Sequence, residues 1–181
     1  MPNIQQGIQD FYRVAQERDF ARDFQFRVLD VSDRGAPVLT QDDLVYATAA
    51  NLPARGIQNV PTPFMGLQFN LPGSVEYPDA TGYQITFRAD GDNAIRTVFE
   101  NWSRSIFDDE TSTGAYRLYA NSTVSLAQLN ANLDVVRVYQ LVGVWPITVG
   151  ELVYNTTGNG EVVEFQATLA YQYWRRNILP V

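Results

Sequence analysis

The chain has 181 residues, of which 45% are hydrophobic, and its 13 basic and 20 acidic residues give a formal net charge of −7. It contains no cysteine and no histidine, which excludes disulfides, thiolate metal sites and imidazole acid–base catalysis within the chain. The acidic balance also disfavours tight binding of nucleic acid through its phosphates. Without a bilayer-length apolar run or a leader pattern, we expect a single soluble domain over 1–181, with no membrane anchor and suited to a reducing cytoplasm.

The N-terminal region predicts a helix followed by a strand. Apolar residues recur at helical spacing over 3–18, namely Ile4, Ile8, Phe11, Tyr12 and Ala15, which predicts a short amphipathic helix. This helix either serves as an arm or docks on the chain's own core. A strand is predicted over 24–31, and the polar, turn-rich stretch 32–43 is predicted to be a mobile loop.

The middle of the chain predicts extended structure. Three extended segments are expected, over 44–50, 63–72 and 82–89. In the last of them Tyr83, Ile85 and Phe87 alternate with polar residues, the period-two pattern of a strand with one dry face and one wet face.

The clearest helix comes next. Its apolar stripe consists of Ile95, Val98, Phe99, Trp102 and Ile106. Asp92 is the predicted N-cap, and the spacing of Arg96, Glu100 and Arg104 predicts i,i+4 ion pairs on the opposite side. We expect the helix to lie on a sheet with Trp102 buried.

The C-terminal third predicts strands again. After an acidic loop at 108–110, strands are expected over 116–120, 135–145 and 151–154, and Asn159-Gly160 fits a type I′ hairpin turn. In the final strand, from Val163, one face carries Phe165, Ala167, Leu169, Tyr171 and Tyr173, and the other carries Glu164, Gln166, Thr168 and Gln172. The predicted fold is mainly β with one central helix, a two-sheet antiparallel β-sandwich or split β-barrel.

Motifs that carry chemistry are absent from the sequence. The run 90–93 resembles the start of a calcium loop, but its glycine is misplaced and Asn101 stands where glutamate is required at the twelfth position, so a turn with a helix cap is favoured. Consecutive acids at 108–110 are typical of a solvated loop rather than a cation site. No catalytic, cofactor-binding or metal-binding residue is predicted.

Four segments, in matching order and spacing, resemble the tail-tube proteins of contractile-tailed phages. The C-terminal one spans 143–174 and combines a G-hydrophobic-W-P element, V-G-E-L and a long strand ending in Y-x-Y-W. Its characteristic residues are Gly143, Trp145, Pro146, Val149, Gly150, Glu151, Leu152, Tyr173 and Trp174. The segment 18–28 is similar to a G-D-F-A-R-x-x-x-F start. The segment 51–66 is similar to L-P-A-x-x-I followed by P-x-x-F-M. The fourth segment is the helix with Phe99 and Trp102. The chain departs from this pattern in a longer 32–43, in Arg18 where glycine is usual, and in an extension over 175–181.

This resemblance implies a structural protein and not an enzyme. It implies rings of six subunits stacked into a hollow tube within a virion assembled in the host cytoplasm. The sheath would lie outside the tube, tape-measure protein and transiently genomic DNA inside, and baseplate and terminator proteins at the ends. The tubes of type VI secretion and other contractile injection systems share the fold and are the nearest alternative.

The resemblance also suggests roles for individual residues. Residues expected to pack the core or a subunit seam are Trp145, Pro146, Gly150, Tyr173, Trp174, Trp102 and Phe64. Residues expected to face the channel are Gln84, Thr86, Glu164, Gln166 and Thr168. We expect the channel surface to be net negative, because a lining rich in arginine would hold DNA phosphates, and we expect Arg88 to pair with a carboxylate or turn into a seam.

Two other classes of function remain open from the sequence. A small-ligand β-barrel would require an enclosed apolar cavity. A carboxylate-based hydrolase would require two acidic residues on facing strands, about 5 to 10 Å apart.

Overall fold

The structure, a computed structural model, describes residues 7–18, 20–116 and 121–177. Within these residues the helices are α1 (Ile8–Glu17), α2 (Gln41–Leu44) and α3 (Ala94–Ile106). The strands are β1 (Phe26–Asp33), β2 (Ala36–Pro37), β3 (Ala47–Ala50), β4 (Gly56–Phe64), β5 (Leu67–Glu76), β6 (Tyr83–Arg88), β7 (Phe107–Asp108), β8 (Thr113–Gly114), β9 (Thr123–Leu129), β10 (Val135–Val142), β11 (Trp145–Val149), β12 (Glu164–Ala170) and β13 (Tyr173–Asn177).

Two antiparallel sheets form the body of the molecule. One has five strands in the order β13-β10-β9-β1-β2, and the other has four in the order β11-β12-β6-β3. The predicted mainly β, two-sheet antiparallel fold is confirmed. The sheets are open, so the fold is a sandwich and not a closed barrel.

The core lies between the sheets because their strands alternate as the sequence predicts. On β6 the side chains of Tyr83, Ile85 and Phe87 are buried, and Phe165 and Leu169 on the neighbouring β12 are buried beside them. The five-stranded sheet contributes inward-facing residues from three of its strands, Val31, Val124 and Leu141. The polar residues between these positions therefore lie on the outer faces.

Helix α3 covers the core as predicted, with Ile95, Phe99 and Trp102 buried, and the predicted Arg96–Glu100 ion pair is present. The predicted N-cap is wrong. Asn93 occupies the cap in a left-handed conformation without a side-chain cap bond, and Asp90 accepts the hydrogen bond from the Ala94 N–H at 2.8 Å. The side-chain acceptor is therefore Asp90, two residues before the predicted Asp92, because the turn before α3 brings the Asp90 carboxylate next to the first N–H groups of the helix.

The prediction of a mobile loop at 32–43 is wrong. Strand β1 continues to Asp33 and turns into β2. Helix α2 follows, with the Thr40 side chain accepting from the Asp43 N–H and the Asp43 carboxylate accepting from the Thr40 N–H. The buried side chains of Leu39 and Leu44 tie this segment to the core.

The last two long strands were predicted to be continuous, and both are broken. The stretch 135–145 divides at Gly143, whose φ of +70° favours glycine, into β10 in one sheet and β11 in the other. The strand from Val163 divides beside it at Tyr171 and Gln172, and the Gln172 N–H still donates to the Val142 carbonyl at 3.0 Å. Segments 135–149 and 164–177 thus form one hairpin, here called the bent hairpin, that contributes two strands to each sheet.

Other boundaries differ from the predictions as well. Residues 151–154 are not a strand, and Gly160 has a positive φ whereas Asn159 does not, so the type I′ turn is wrong. Residues 44–46 precede β3 rather than forming part of it, and the predicted segment 63–72 contains a turn. Tyr116 lies in a turn, and the rest of the predicted strand 116–120 lies outside the described residues, as does Ile4 of the predicted helix.

Candidate assembly surfaces

Strands β4 and β5 form a two-stranded ribbon, here called the ribbon (Gly56–Glu76), that stands apart from both sheets. The strands are joined by Met65 and Gly66, both with positive φ, which gives a tight two-residue turn. Every ribbon residue from Ile57 to Val75 is exposed. Because an isolated two-stranded hairpin is at best marginally stable in water, this exposure makes the ribbon a candidate surface for docking a partner.

The two faces of the ribbon differ in chemistry. The register places Phe64 opposite Leu67, Thr62 opposite Phe69 and Val60 opposite Leu71, so these alternating pairs form one largely apolar face. The other face carries the pairs Pro63–Gln68, Pro61–Asn70 and Asn59–Pro72. Phe64 is 63% exposed and Phe69 is 49% exposed, so the apolar face lies in solvent in the single chain and is suited to docking.

Prolines limit strand pairing along the β4 edge of the ribbon and at one position of the β5 edge. Pro61, Pro63 and Pro72 occupy the alternate positions whose N–H groups would point away from the ribbon, and proline has none. No charged residue occurs between Gly56 and Val75. The ribbon can therefore associate by its apolar face more readily than by its edges.

The predicted channel-facing residues come together on the outer face of the four-stranded sheet. The register between β12 and β6 places Thr168 opposite Gln84, Gln166 opposite Thr86, and Glu164 opposite Arg88. The Gln166 amide nitrogen donates to the Gln84 amide oxygen at 3.0 Å. All five residues are thus neighbours on one polar surface, here called the polar face.

The polar face carries an ion pair and no net charge among the residues considered. Arg88 pairs with Glu164, with 3.8 Å between Nε and Oε1, so the predicted carboxylate partner is present. The five predicted residues and Arg88 then carry +1 and −1, which sum to zero. The other residues considered on this face are Gln and Thr, which are uncharged. The net negative charge of the chain therefore lies on other parts of the molecule.

The predicted packing and seam residues divide into three groups. Trp102 and Pro146 are buried, whereas Trp145, Gly150 and Trp174 are partly buried. Phe64 lies at the ribbon tip and Tyr173 is 45% exposed, so neither packs into the core of its own chain. Gly150 lies so close to β12 that a methyl group on it would be 2.6 Å from the Gln166 carbonyl oxygen, which requires glycine at this position.

A group of hydrogen bonds closes the base of the ribbon. The Asp79 carboxylate oxygens accept from the Ala54 N–H at 3.2 Å, and the Tyr171 hydroxyl donates to Asp79 Oδ1 at 2.6 Å. The Trp174 indole N–H donates to the Ala54 carbonyl at 2.9 Å. Burial, together with the hydrogen bond to Asp79, raises the pKa of Tyr171, which keeps this hydroxyl a donor at neutral pH.

Helix α1 is confirmed as an amphipathic helix, but it is not docked on the core. None of the side chains in Ile8–Glu17 is buried, and Ile8, Phe11 and Tyr12 are each at least 60% exposed. The Phe11 ring stacks on Phe20 with centroids 5.8 Å apart. The helix is therefore not docked on the core of its own chain.

The described residues give no support to a ligand or metal site. They contain no group of three or more acidic residues arranged to hold a metal ion. The Thr111 hydroxyl and the Glu110 N–H bind the Asp108 carboxylate and lower the pKa of Asp108, so the acidic loop is a hydrogen-bonded turn. The rings of Phe87, Phe99 and Phe165 pack on one another within the hydrophobic core.

No helix in the described part of the chain is both long and apolar enough to cross a bilayer.

The apolar face of the ribbon, which includes Val60, Phe69 and Leu71, was not predicted from the sequence. The signal that marks it is alternation of apolar residues around Met65-Gly66, flanked by prolines.

Comparisons with known proteins agree with the geometry. The phage tail tube protein family model matches residues 15–177. Tail tube protein gp19 of Enterobacteria phage T4 is 28% identical over 169 residues, covering 92% of this chain and 98% of the relative, and the protein of the same name from Enterobacteria phage T6 gives the same values.

Solved structures share the fold. The tube terminating cap of the anti-feeding prophage has a TM-score of 0.61 at 16% identity, over 90% of this chain and 93% of the other. The sheath–tube complex of an extracellular contractile injection system, in the extended state, has a TM-score of 0.55 at 12% identity, over 92% and 97%. The chain belongs to the phage tail tube protein family and is a structural subunit of a virion tail.

Proposed function

We propose that this chain forms rings of six that stack into the hollow inner tube of a contractile phage tail. In this proposal 1–181 is one tube domain, α1 is an arm and 175–181 is a short extension. The observation that carries the proposal is the ribbon, because an uncovered apolar face of this length makes the single chain incomplete. The subunit has no catalytic role in this proposal.

The occupant of the ribbon's apolar face is a second copy of this chain. Every copy carries a net charge of −7, and the uncharged ribbon can approach another copy without like-charge repulsion. The prolines of the β4 edge favour packing of the ribbon face on a neighbour over strand addition at that edge. Phe64 at the ribbon tip and the exposed Tyr173 are seam residues in this arrangement.

The polar face lines the channel in this proposal. Its Gln and Thr side chains hydrogen-bond with water and with one another, and the Arg88–Glu164 pair cancels its charges. Such a lining gives passing DNA few fixed cations to bind. Tape-measure protein during assembly and genomic DNA during ejection are the expected contents of the channel.

The opposite side of the sandwich faces the sheath. Baseplate and terminator proteins would contact the rings at the two ends of the tube. Assembly takes place in the host cytoplasm, which suits a chain without cysteine.

Replacing Phe69 with aspartate should abolish tube formation. The variant would place a charge on the apolar face, and burying it against a neighbour should cost on the order of 3 kcal/mol per contact. The single chain should fold normally because Phe69 is 49% exposed. Negative-stain microscopy and sedimentation velocity of the variant should show only small species where the unmodified protein forms rings or tubes.

The matched control is Gln68→Asp, which introduces the same residue at the neighbouring position on the opposite face. It should leave tubes intact. Equal loss of tubes in both variants would mean that the apolar face is not the docking surface. Normal tubes from Phe69→Asp that fail to bind sheath or baseplate would assign the face to one of those partners and contradict the proposed self-association.

A further inference from the structure

The ribbon must be held in one direction if it is to meet a neighbouring subunit correctly. Strand β5 has 10 residues, so the ribbon extends roughly 30 Å at about 3.4 Å per residue. A rotation of about 10° at its base would displace the tip by about 5 Å, close to one strand spacing. Small changes at the base are therefore large at Phe64 and Met65.

We propose that Asp79, Tyr171, Ala54 and Trp174 form an anchor that sets the direction of the ribbon. Tyr171 and Trp174 are then positioning residues for assembly, acting through the ribbon and not by contacting the neighbouring subunit. This inference rests on the proposed function for its link to tube formation, whereas the anchor itself concerns the single chain.

The hydrogen bonds connect the ribbon to itself and to the body of the molecule. Ala54 precedes β4 and Asp79 follows β5, so the bond between them joins the two feet of the ribbon. The Tyr171 hydroxyl, on a side chain that is 3% exposed, then fixes the Asp79 carboxylate. A hydrogen bond to a charged oxygen at a partly buried site is stronger than an exposed neutral one.

Trp174 gives the anchor a second connection to the body. Its indole N–H holds the Ala54 carbonyl, while its ring packs on Tyr139 of β10 with centroids 5.6 Å apart. Tyr171 lies between β12 and β13, where the bent hairpin changes sheets. The ribbon is thus attached where both sheets meet, and attachment to rigid elements places a group more accurately than attachment to loops.

The anchor joins two distant segments of the sequence. Ala54 belongs to L-P-A in the first third of the chain, and Trp174 ends the Y-x-Y-W pattern 120 residues later. Their hydrogen bond makes the C-terminal tryptophan a support for the ribbon as well as a packing residue.

The test uses the absence of cysteine from the natural chain. Met65→Cys at the ribbon tip, 88% exposed, and Val136→Cys on β10, 44% exposed, provide two sites for nitroxide labels. Double electron–electron resonance then measures the distance distribution from tip to body. Tyr171→Phe and Trp174→Phe each remove one anchor donor and keep a ring, and Tyr154→Phe, at an exposed tyrosine outside the anchor, is the control.

We expect both Tyr171→Phe and Trp174→Phe to broaden the distance distribution. Tyr171→Phe should slow tube growth roughly ten-fold, because it loses a hydrogen bond to a charged carboxylate. Trp174→Phe should slow it roughly five-fold, because its lost hydrogen bond goes to a neutral carbonyl. Circular dichroism should show an intact fold, and Tyr154→Phe should match the parent protein in both measurements. Unchanged, narrow distributions in both anchor variants would overturn the anchor. Broad distributions with unchanged tube growth would overturn its role in assembly. A parent protein that forms no rings or tubes would contradict the proposed function, while the distances would still decide the anchor.

Discussion

Replacing Phe99 with alanine should lower the free energy of unfolding by about 3–5 kcal/mol. The Phe99 side chain is fully buried and its ring lies 5.4 Å from that of Phe87 and 6.3 Å from that of Phe165. It is one of the contacts through which α3 packs on the four-stranded sheet, and a cavity here would remove packing against both of these rings. Denaturant unfolding followed by tryptophan fluorescence and circular dichroism would measure the change.

The control is Asn101→Ala on the exposed side of α3, which should change the free energy of unfolding by less than about 0.5 kcal/mol. Both substitutions introduce alanine into the same helix. A difference between their changes in the free energy of unfolding therefore reports the loss of packing at Phe99 rather than a change in helix propensity. A loss below about 1 kcal/mol for Phe99→Ala would show that α3 does not pack on the sheet as described.

Replacing Gln166 with arginine should slow genome ejection strongly at low ionic strength. If the polar face lines the channel, each ring of six gains six cations beside the path of DNA, and every phosphate that they neutralise adds about 0.9 to the slope of log affinity against log salt concentration. Ejection from particles built with the variant should recover as salt is raised. Time-resolved fluorescence of released DNA would give the rates.

Gln166→Met is the matched control, because it keeps a long side chain at the same exposed position without a charge. It should eject DNA at the parental rate at every salt concentration. Particles that contain the arginine variant and eject DNA with parental kinetics at low salt would place the polar face outside the channel.

The sequence predicted well those strands and helices that have one side buried in the core of the single chain and the other side exposed to solvent. Alternation identified β6 and most of β12 and separated the polar side of each strand from its apolar side. The pairing of the two strands then brings Gln84, Thr86, Gln166 and Thr168 onto one surface. The helical stripe of α3 was equally informative. In both cases local periodicity and tertiary burial agree.

The parts that could not be predicted depend on contacts outside the local pattern. Apolar alternation continues through Gly143 and Gln172, so the sheet change leaves little trace except a glycine. The hydrogen bond between Asp79 and Tyr171 joins residues 92 positions apart. The apolar face of the ribbon was not predicted because neither of its faces is buried within the single chain. In the proposed assembly, the surface that buries the apolar face belongs to a neighbouring subunit.

The bent hairpin has a mechanical consequence. Two separate packed sheets can slide over each other when the side chains between them shift. Here both strands of the bent hairpin pass from one sheet to the other at a single corner. Shear between the layers must therefore deform covalent chain and ladder hydrogen bonds. In a tube wall assembled from such subunits, a force applied to one sheet would be transmitted to the other sheet through the backbone of the bent hairpin.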